Sequence, residues 1–282
     1  MNRTYPAFLR RAALLVGAAF FAALAGHAQV SITLGNLTYT QNFDSLLTGN
    51  TPTDWANNAG SNTTNGLVGW YAETNSGLPS PLQITGTNGT TTTTGQLKSY
   101  GTTSTTERAL GTLPGDTSGA MRIGVRFVNN TGGTITSFSV TYDGEQWRQS
   151  GETAVNNQFV FAYQIFDANT GSLSGGTYTS IGSLTFNTPQ DGTGTGTGQT
   201  LDGNLAANRV AGLTGTANVA LADGQEIWFR WLDANSSGVD HGISVDNLSV
   251  SFTAIPEPST YAALLGLAGL ALVAWRRRAQ QG

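Results

Sequence analysis

The chain has 282 residues, 39% of them hydrophobic and only 11% charged, with a formal net charge of −4 and no cysteine. Three arginines stand within the first eleven residues and three more at positions 276–278, so residues 29–255 hold seven basic against sixteen acidic side chains, a local net charge of −9. An acidic, cysteine-free middle whose one histidine is His241 excludes an electrostatic footprint for nucleic acid, a disulfide framework, thiolate catalysis and cysteine-bound or multi-histidine metal centres.

In chain order, Met1 to Arg11 carry Arg3, Arg10 and Arg11 and no acid, and an apolar run of 15 residues follows from Ala12 to Gly26. A basic start, an apolar stretch of that length and a small-residue exit at Gly26-His27-Ala28 predict a secretory signal peptide over residues 1–28, cleaved after Ala28. As a helix the run reaches only about 22 Å, against roughly 30 Å of membrane hydrocarbon.

Residues 29–255 read as one all-β domain, because apolar side chains recur at period two. Strands are predicted at Leu37 to Asn42, at Met121-Ile123-Val125-Phe127 with Arg122 and Arg126 on the other face, and at Phe138-Val140-Tyr142. Others follow at Phe159-Phe161-Tyr163-Ile165, Tyr178 to Phe186, Thr214 to Leu221 and Ile227-Phe229-Trp231, the last leaving Trp228 and Arg230 on the opposite face. In the final strand, Ile243 to Phe252, the alternation slips between Val245 and Leu248, which predicts a bulge. Turns are marked by Asn130-Thr131-Gly132-Gly133, Asp143-Gly144, Gly175-Gly176 and Asp223-Gly224, and loops by Thr87 to Gly95 and Gly192 to Gly198. This pattern argues for an antiparallel two-sheet sandwich of jelly-roll type.

The chain closes on 15 uncharged residues from Tyr261 to Trp275, followed by Arg276, Arg277 and Arg278. Counted from Ser259 the segment makes about 26 Å of helix, enough to span a membrane when the arginines snorkel to the cytoplasmic side. Just ahead of it stand Pro256, Glu257 and Pro258, and two prolines keep the backbone extended and open to a protease.

Pro-Glu-Pro, an apolar span and an arginine cluster, in that order, resemble the PEP-CTERM sorting signal. The resemblance implies that residues 256–282 are a sorting and anchor segment, with Pro256, Glu257 and Pro258 as sorting residues and Arg276, Arg277 and Arg278 as a cytoplasmic anchor. It implies as partner an exosortase-type membrane transpeptidase that cuts near the motif after transient anchoring, and delivery to the envelope or extracellular matrix of a Gram-negative bacterium that makes exopolysaccharide. The middle resembles a loose group of exported jelly-roll domains through Phe43-Asp44, Trp55 and the run Gly242-Ile243-Ser244-Val245-Asp246-Asn247-Leu248-Ser249-Val250.

Three carboxylates, Asp44 near the first strand and Asp240 and Asp246 near the last, are candidate ligands for a structural Ca²⁺, which takes six to eight oxygens. The alternative is that Asp240 and Asp246 cap turns. The run Asp143-Gly144-Glu145-Gln146-Trp147-Arg148 pairs two acids beside a tryptophan, as a glycosidase would. It lacks the Glu-x-Asp-x-x-Glu run of laminarinase-like enzymes, however. A serine triad through His241 has no Gly-x-Ser-x-Gly elbow, and Lys98 is not in a phosphate loop. No catalytic residue is assigned. Trp147, Arg148 and Trp228 are candidate glycan contacts, since sugar faces stack on aromatic rings. The expected protein is a non-enzymatic surface component of the envelope or exopolysaccharide matrix with polysaccharide as ligand. The alternatives are a secreted carbohydrate-active enzyme on the same scaffold and a passive surface-structural protein.

Overall fold

The computed structural model describes residues 29–75, 82–103, 105–152, 157–236 and 240–256, with 265–267, 269–273, 276 and 280 near the C-terminus. The expected signal peptide, Glu257 and Pro258 of the sorting motif, and Arg277 and Arg278 lie outside the described residues. Within them the period-two pattern becomes strands: β1 (Val30–Ile32), β2 (Thr38–Gln41), β3 (Thr53–Asp54), β4 (Trp70–Thr74), β5 (Gln83–Thr87), β6 (Gln96–Tyr100), β7 (Ala109–Leu113) and β8 (Met121–Asn129). The chain continues through β9 (Gly133–Gln149), β10 (Gln158–Phe166), β11 (Thr179–Ser180), β12 (Phe186–Asn187), β13 (Gln199–Thr200), β14 (Arg209–Leu221), β15 (Glu226–Asp233) and β16 (Gly242–Pro256).

The strands form two sheets. A seven-stranded sheet runs β1-β8-β15-β10-β11, with β4 also paired to β8 and β12 to β10. A nine-stranded sheet runs β13-β9-β16-β7-β6-β5-β3, with β14 paired to β9 and β2 to β16. The fold is all-β, and its sheets are mixed where a purely antiparallel sandwich was expected: β1 lies parallel to β8 and β5 parallel to β6. The short strands β1 and β5 carry no alternation from which a direction could be read.

Register matches the inward residues across strands. In the antiparallel pair β8–β15, Ile123 faces Trp231 and Val125 faces Phe229, and in β10–β15, Phe161 faces Trp231. Their burial makes the main core. Trp231 stacks on Trp70 at 5.8 Å and meets the edges of Phe161 at 5.2 Å and of Tyr142, from the other sheet, at 5.5 Å. Phe138 of β9 reaches across to Phe229 at 4.7 Å.

Three expectations need correction or refinement. Asp143-Gly144 is no turn but the middle of β9. The glycine is there because the ring of Phe186 presses onto Gly144 where a Cβ would stand. The strand expected over Tyr178 to Phe186 is broken into β11, a 3₁₀ turn at Gly182–Leu184 and β12. The slip in β16 is a bulge between Asp246 and Ser249 in the pairing with β9, where Asn247 takes φ of 50°.

Lys98, the sole lysine, is fully buried in β6. Its Nζ donates to Gln96 Oε1 at 3.3 Å, and it takes part in none of the ion pairs among the described residues. Burial without a countercharge lowers its pKa to about 8.

Candidate functional site

On the face of β15 opposite Trp231, Trp228 lies against Tyr71 of β4, ring centroids 4.5 Å apart. Arg126, Asn169, Gly171 and Glu226 complete a cleft of about 280 Å³, close to the lower bound of small-ligand sites (~300–1,000 Å³). Its polar wall is preorganised. Arg126 Nε pairs with Glu226 Oε2 at 2.5 Å, and Arg126 Nη2 donates to Asn169 Oδ1 at 2.9 Å. Glu226 also accepts from the Gly171 amide at 2.7 Å and from Trp228 Nε1 at 3.1 Å. Trp228 is only 3% exposed, so the half-buried Tyr71 supplies the accessible ring. Beside the cleft, the Arg230 guanidinium lies 3.8 Å over the ring of Tyr178. A fixed ring next to fixed donors and acceptors can stack on an apolar sugar face while bonding its hydroxyls.

The other two candidate glycan residues are elsewhere. Trp147 is wholly buried against the nine-stranded sheet, stacked on Tyr100 at 5.8 Å in a small second core with Ala109. Arg148 is buried and donates to the Gly89 carbonyl at 3.3 Å. Trp147 has no exposed surface, and neither it nor Arg148 lines the Tyr71–Trp228 cleft.

Of the three candidate calcium ligands, Asp44 and Asp246 stay near each other and Asp240 stands apart. Burial, opposed by the Asn247 amide and reinforced by the charges of Glu107, Asp143 and Asp44, pushes the pKa of Asp246 of β16 up to about 7. Asp44 is tied down by the Arg108 amide at 3.1 Å and by Asn42 Nδ2 at 2.6 Å. Asp240 belongs to a different place, buried and accepting from the Ser236 amide at 3.0 Å. Glu145 joins Asp246 instead. It is fully buried, and burial and then the Asp246 charge, opposed by the Trp147 hydrogen bond, push its pKa up to about 8. One carboxylate oxygen each from Glu107, Glu145 and Asp246 lies within 4.8 Å of the others. Sequence reasoning noticed Glu145 in its run of functional residues but not Glu107, which stands in a loop with no pattern around it. His241 is buried and accepts from the Ser150 amide at Nδ1, 3.2 Å away.

The last strand runs on to Pro256, still paired with Gly133 of β9, and beyond it the described residues 265–267, 269–273 and 276 are helical. Leu265, Leu267, Leu270, Leu272 and Val273 there are 50–74% exposed, an apolar surface that fits lipid better than water. Among the described residues no helix is long and apolar enough to cross a membrane. Residues 254–278 match the family model described as the PEP-CTERM protein-sorting motif. This chain carries a PEP-CTERM signal. The PEP-CTERM segment marks the protein for export, for membrane-anchored sorting toward the cell surface and for processing by an exosortase, a membrane protein. No curated relative matches the PEP-CTERM chain at large. Among solved structures it is similar to the enzymatically active domain of bacteriophage CBA120 tailspike protein 4, with 10% identity, a TM-score of 0.31 and coverage of 66% of this chain and 19% of that one. It thus spans about a fifth of the tailspike chain. It is also similar to TmCBM61 in complex with β-1,4-galactotriose (8% identity, TM-score 0.26, 52% of this chain and 72% of that one). A third likeness is to the K2 cleaved adhesin domain of Lys-gingipain (15% identity, TM-score 0.34, 77% and 97%).

Proposed function

We propose that this protein is a non-enzymatic glycan-binding component of the envelope or exopolysaccharide matrix of a Gram-negative bacterium. Its domain is a β-sandwich of jelly-roll type, released from its anchor near Pro256 by an exosortase-type transpeptidase. The observation that carries the binding reading is the Tyr71–Trp228 cleft, with the Arg126–Glu226 pair held rigid at its wall. Binding without hydrolysis is favoured because Glu145, the best carboxylate of the Asp143–Arg148 run, is fully buried, where no glycosidic oxygen can reach it.

The test is retention of the purified protein on exopolysaccharide from its own host, with reducing ends assayed in the same tubes. Tyr71→Ala should weaken retention about tenfold or more, the loss of one stacked ring. Equal retention by wild type and Tyr71→Ala would sink the cleft. Release of reducing ends that disappears in Glu145→Gln would establish the enzyme reading instead. Intact mass spectrometry of envelope and medium fractions checks the sorting, with a species beginning at Gln29 and ending near Pro258 as the expected product.

A further inference from the structure

The three carboxylates under the nine-stranded sheet are arranged in a way that neither turn capping nor a stability role explains. Glu107 precedes β7, Glu145 lies in β9 and Asp246 lies beside the bulge in β16, directed away from the main core with Ser244. Each has one oxygen held by the protein. Glu107 Oε2 accepts from Asn204 Nδ2 at 2.9 Å. Glu145 Oε2 accepts from Trp147 Nε1 at 2.8 Å and from Ser244 Oγ at 3.2 Å. Asp246 Oδ2 accepts from Asn247 Nδ2 at 2.9 Å. The other oxygen of each, Glu107 Oε1, Glu145 Oε1 and Asp246 Oδ1, is buried and has no hydrogen-bond partner. Glu145 is 0% and Asp246 only 4% exposed.

Burying a single unpartnered carboxylate oxygen is unfavourable, and three at such close quarters are far more so. None of the ion pairs among the described residues reaches them. Outer donors that fix one oxygen of a carboxylate and leave the other pointing into a shared space are the second shell of a metal site. We propose that Glu107, Glu145 and Asp246 bind one hard divalent cation, Ca²⁺. The donor set is oxygen alone, which selects a hard cation over zinc, copper or iron. Carboxylate oxygens that all lie within 4.8 Å of one another fit around an ion with bonds of about 2.3–2.6 Å, and calcium accepts such a protein cage where magnesium keeps most of its own water. Water completes the coordination. The ion ties β9, β16 and the segment before β7 together, the cross-link that a cysteine-free exported domain otherwise lacks. This site differs from the Asp44–Asp240–Asp246 set expected from sequence, with which it shares Asp246 alone. It stands independently of the glycan reading, because it is measured with no sugar present.

The experiment uses the full chain in detergent, stripped with a chelator and titrated with calcium chloride by calorimetry and thermal melting. One saturable site per chain is expected, and at calcium about 100-fold above Kd the Tm should rise by roughly 5–10 °C. Terbium in place of calcium should give emission sensitised by Trp147, which is bonded to the ligand Glu145, and calcium should quench it by competition. Glu107→Gln, a change in a half-buried loop residue, should abolish uptake with the β signature in circular dichroism intact. Asp246→Asn should do the same and serves as the second variant. A folded wild type that takes up no calcium overturns the proposal. So does uptake by Glu107→Gln and Asp246→Asn equal to that of the wild type, or a site filled by magnesium in preference to calcium.

Discussion

Replacing Lys98 by methionine should make this protein more stable, although it deletes the only lysine the chain has. The amine is buried with a single hydrogen bond to Gln96 and no carboxylate. The unfolded chain holds its proton up to about pH 10.5, and the folded chain gives it up near 8. Between those values the unfolded state binds more protons, so stability rises with pH through the window and the full penalty applies below it. The gap between 10.5 and about 8, at 1.36 kcal/mol for each pH unit, amounts to about 3 kcal/mol at pH 7. Methionine matches the length of the side chain and has no charge to desolvate, and the lost bond to Gln96 offsets about 1 kcal/mol of the gain. The net expectation is about 2 kcal/mol, or roughly 4–8 °C in Tm for a domain of this size. Urea unfolding of wild type and Lys98→Met at several values between pH 7 and pH 10.5 measures it, and the difference should shrink steadily as pH rises. Burial also pushes up the pKa values of Tyr100, Tyr142 and Tyr178, but these act on both proteins and cancel in the difference. A variant less stable than wild type at pH 7, or a gain unchanged across that range, would refute the reasoning.

Three further outcomes are expected. Trp231→Ala removes the ring that joins Trp70, Phe161 and Tyr142 and should cost about 3–5 kcal/mol in chemical unfolding. Gly171→Ala places a methyl against Trp228 Nε1 and Glu226 Oε1, so polysaccharide retention should fall and overpacking should lower stability by about 1–3 kcal/mol with the domain still folded. Undiminished retention would clear that cleft of a binding role. Burial holds the Asp233 carboxyl well above its ordinary pKa, opposed by the Thr112 hydroxyl that donates to it at 2.6 Å. The folded state therefore keeps a proton that the unfolded chain loses above about 4, and stability falls as pH rises from there. Asp233→Asn should raise the unfolding midpoint at pH 7 and leave it unchanged at pH 3, where both states are protonated.

What could be read from the sequence was set by exposure of one strand face. β8, β10 and β15 have a core face and a less buried one, and their alternation located them and put Trp231 on the core face and Trp228 on the opposite face. The bulge at Asp246 was legible for the same reason, since an extra residue shifts the phase. β6 and β7 are buried on both faces, so Gln96–Tyr100 and Ala109–Leu113 carry no period to detect. Gly144 was misread because glycine serves a turn and a close approach equally well. At the sites, residue type indicated which chemistries were available, but long-range pairing decided which residues meet. Glu107 and Asp246 are 139 positions apart and come together only because β7 and β9 both flank β16. Trp147 looked like a sugar platform until its partner Tyr100 covered it.

The pairing of β16 with β9, which continues past its bulges as far as Pro256, has a mechanical consequence. While the protein is tethered through its C-terminal segment, any drag on the domain is transmitted along β16, so its hydrogen bonds to β9 and, further in, to β7 and β2 are loaded together in shear. Rupture then requires many bonds to fail at once, whereas a tether on an edge strand such as β3 would peel them off in turn. Under flow, before release by the transpeptidase, the domain hangs from one of its strongest lines, and the resistance it offers is a rate of unfolding more than an equilibrium stability.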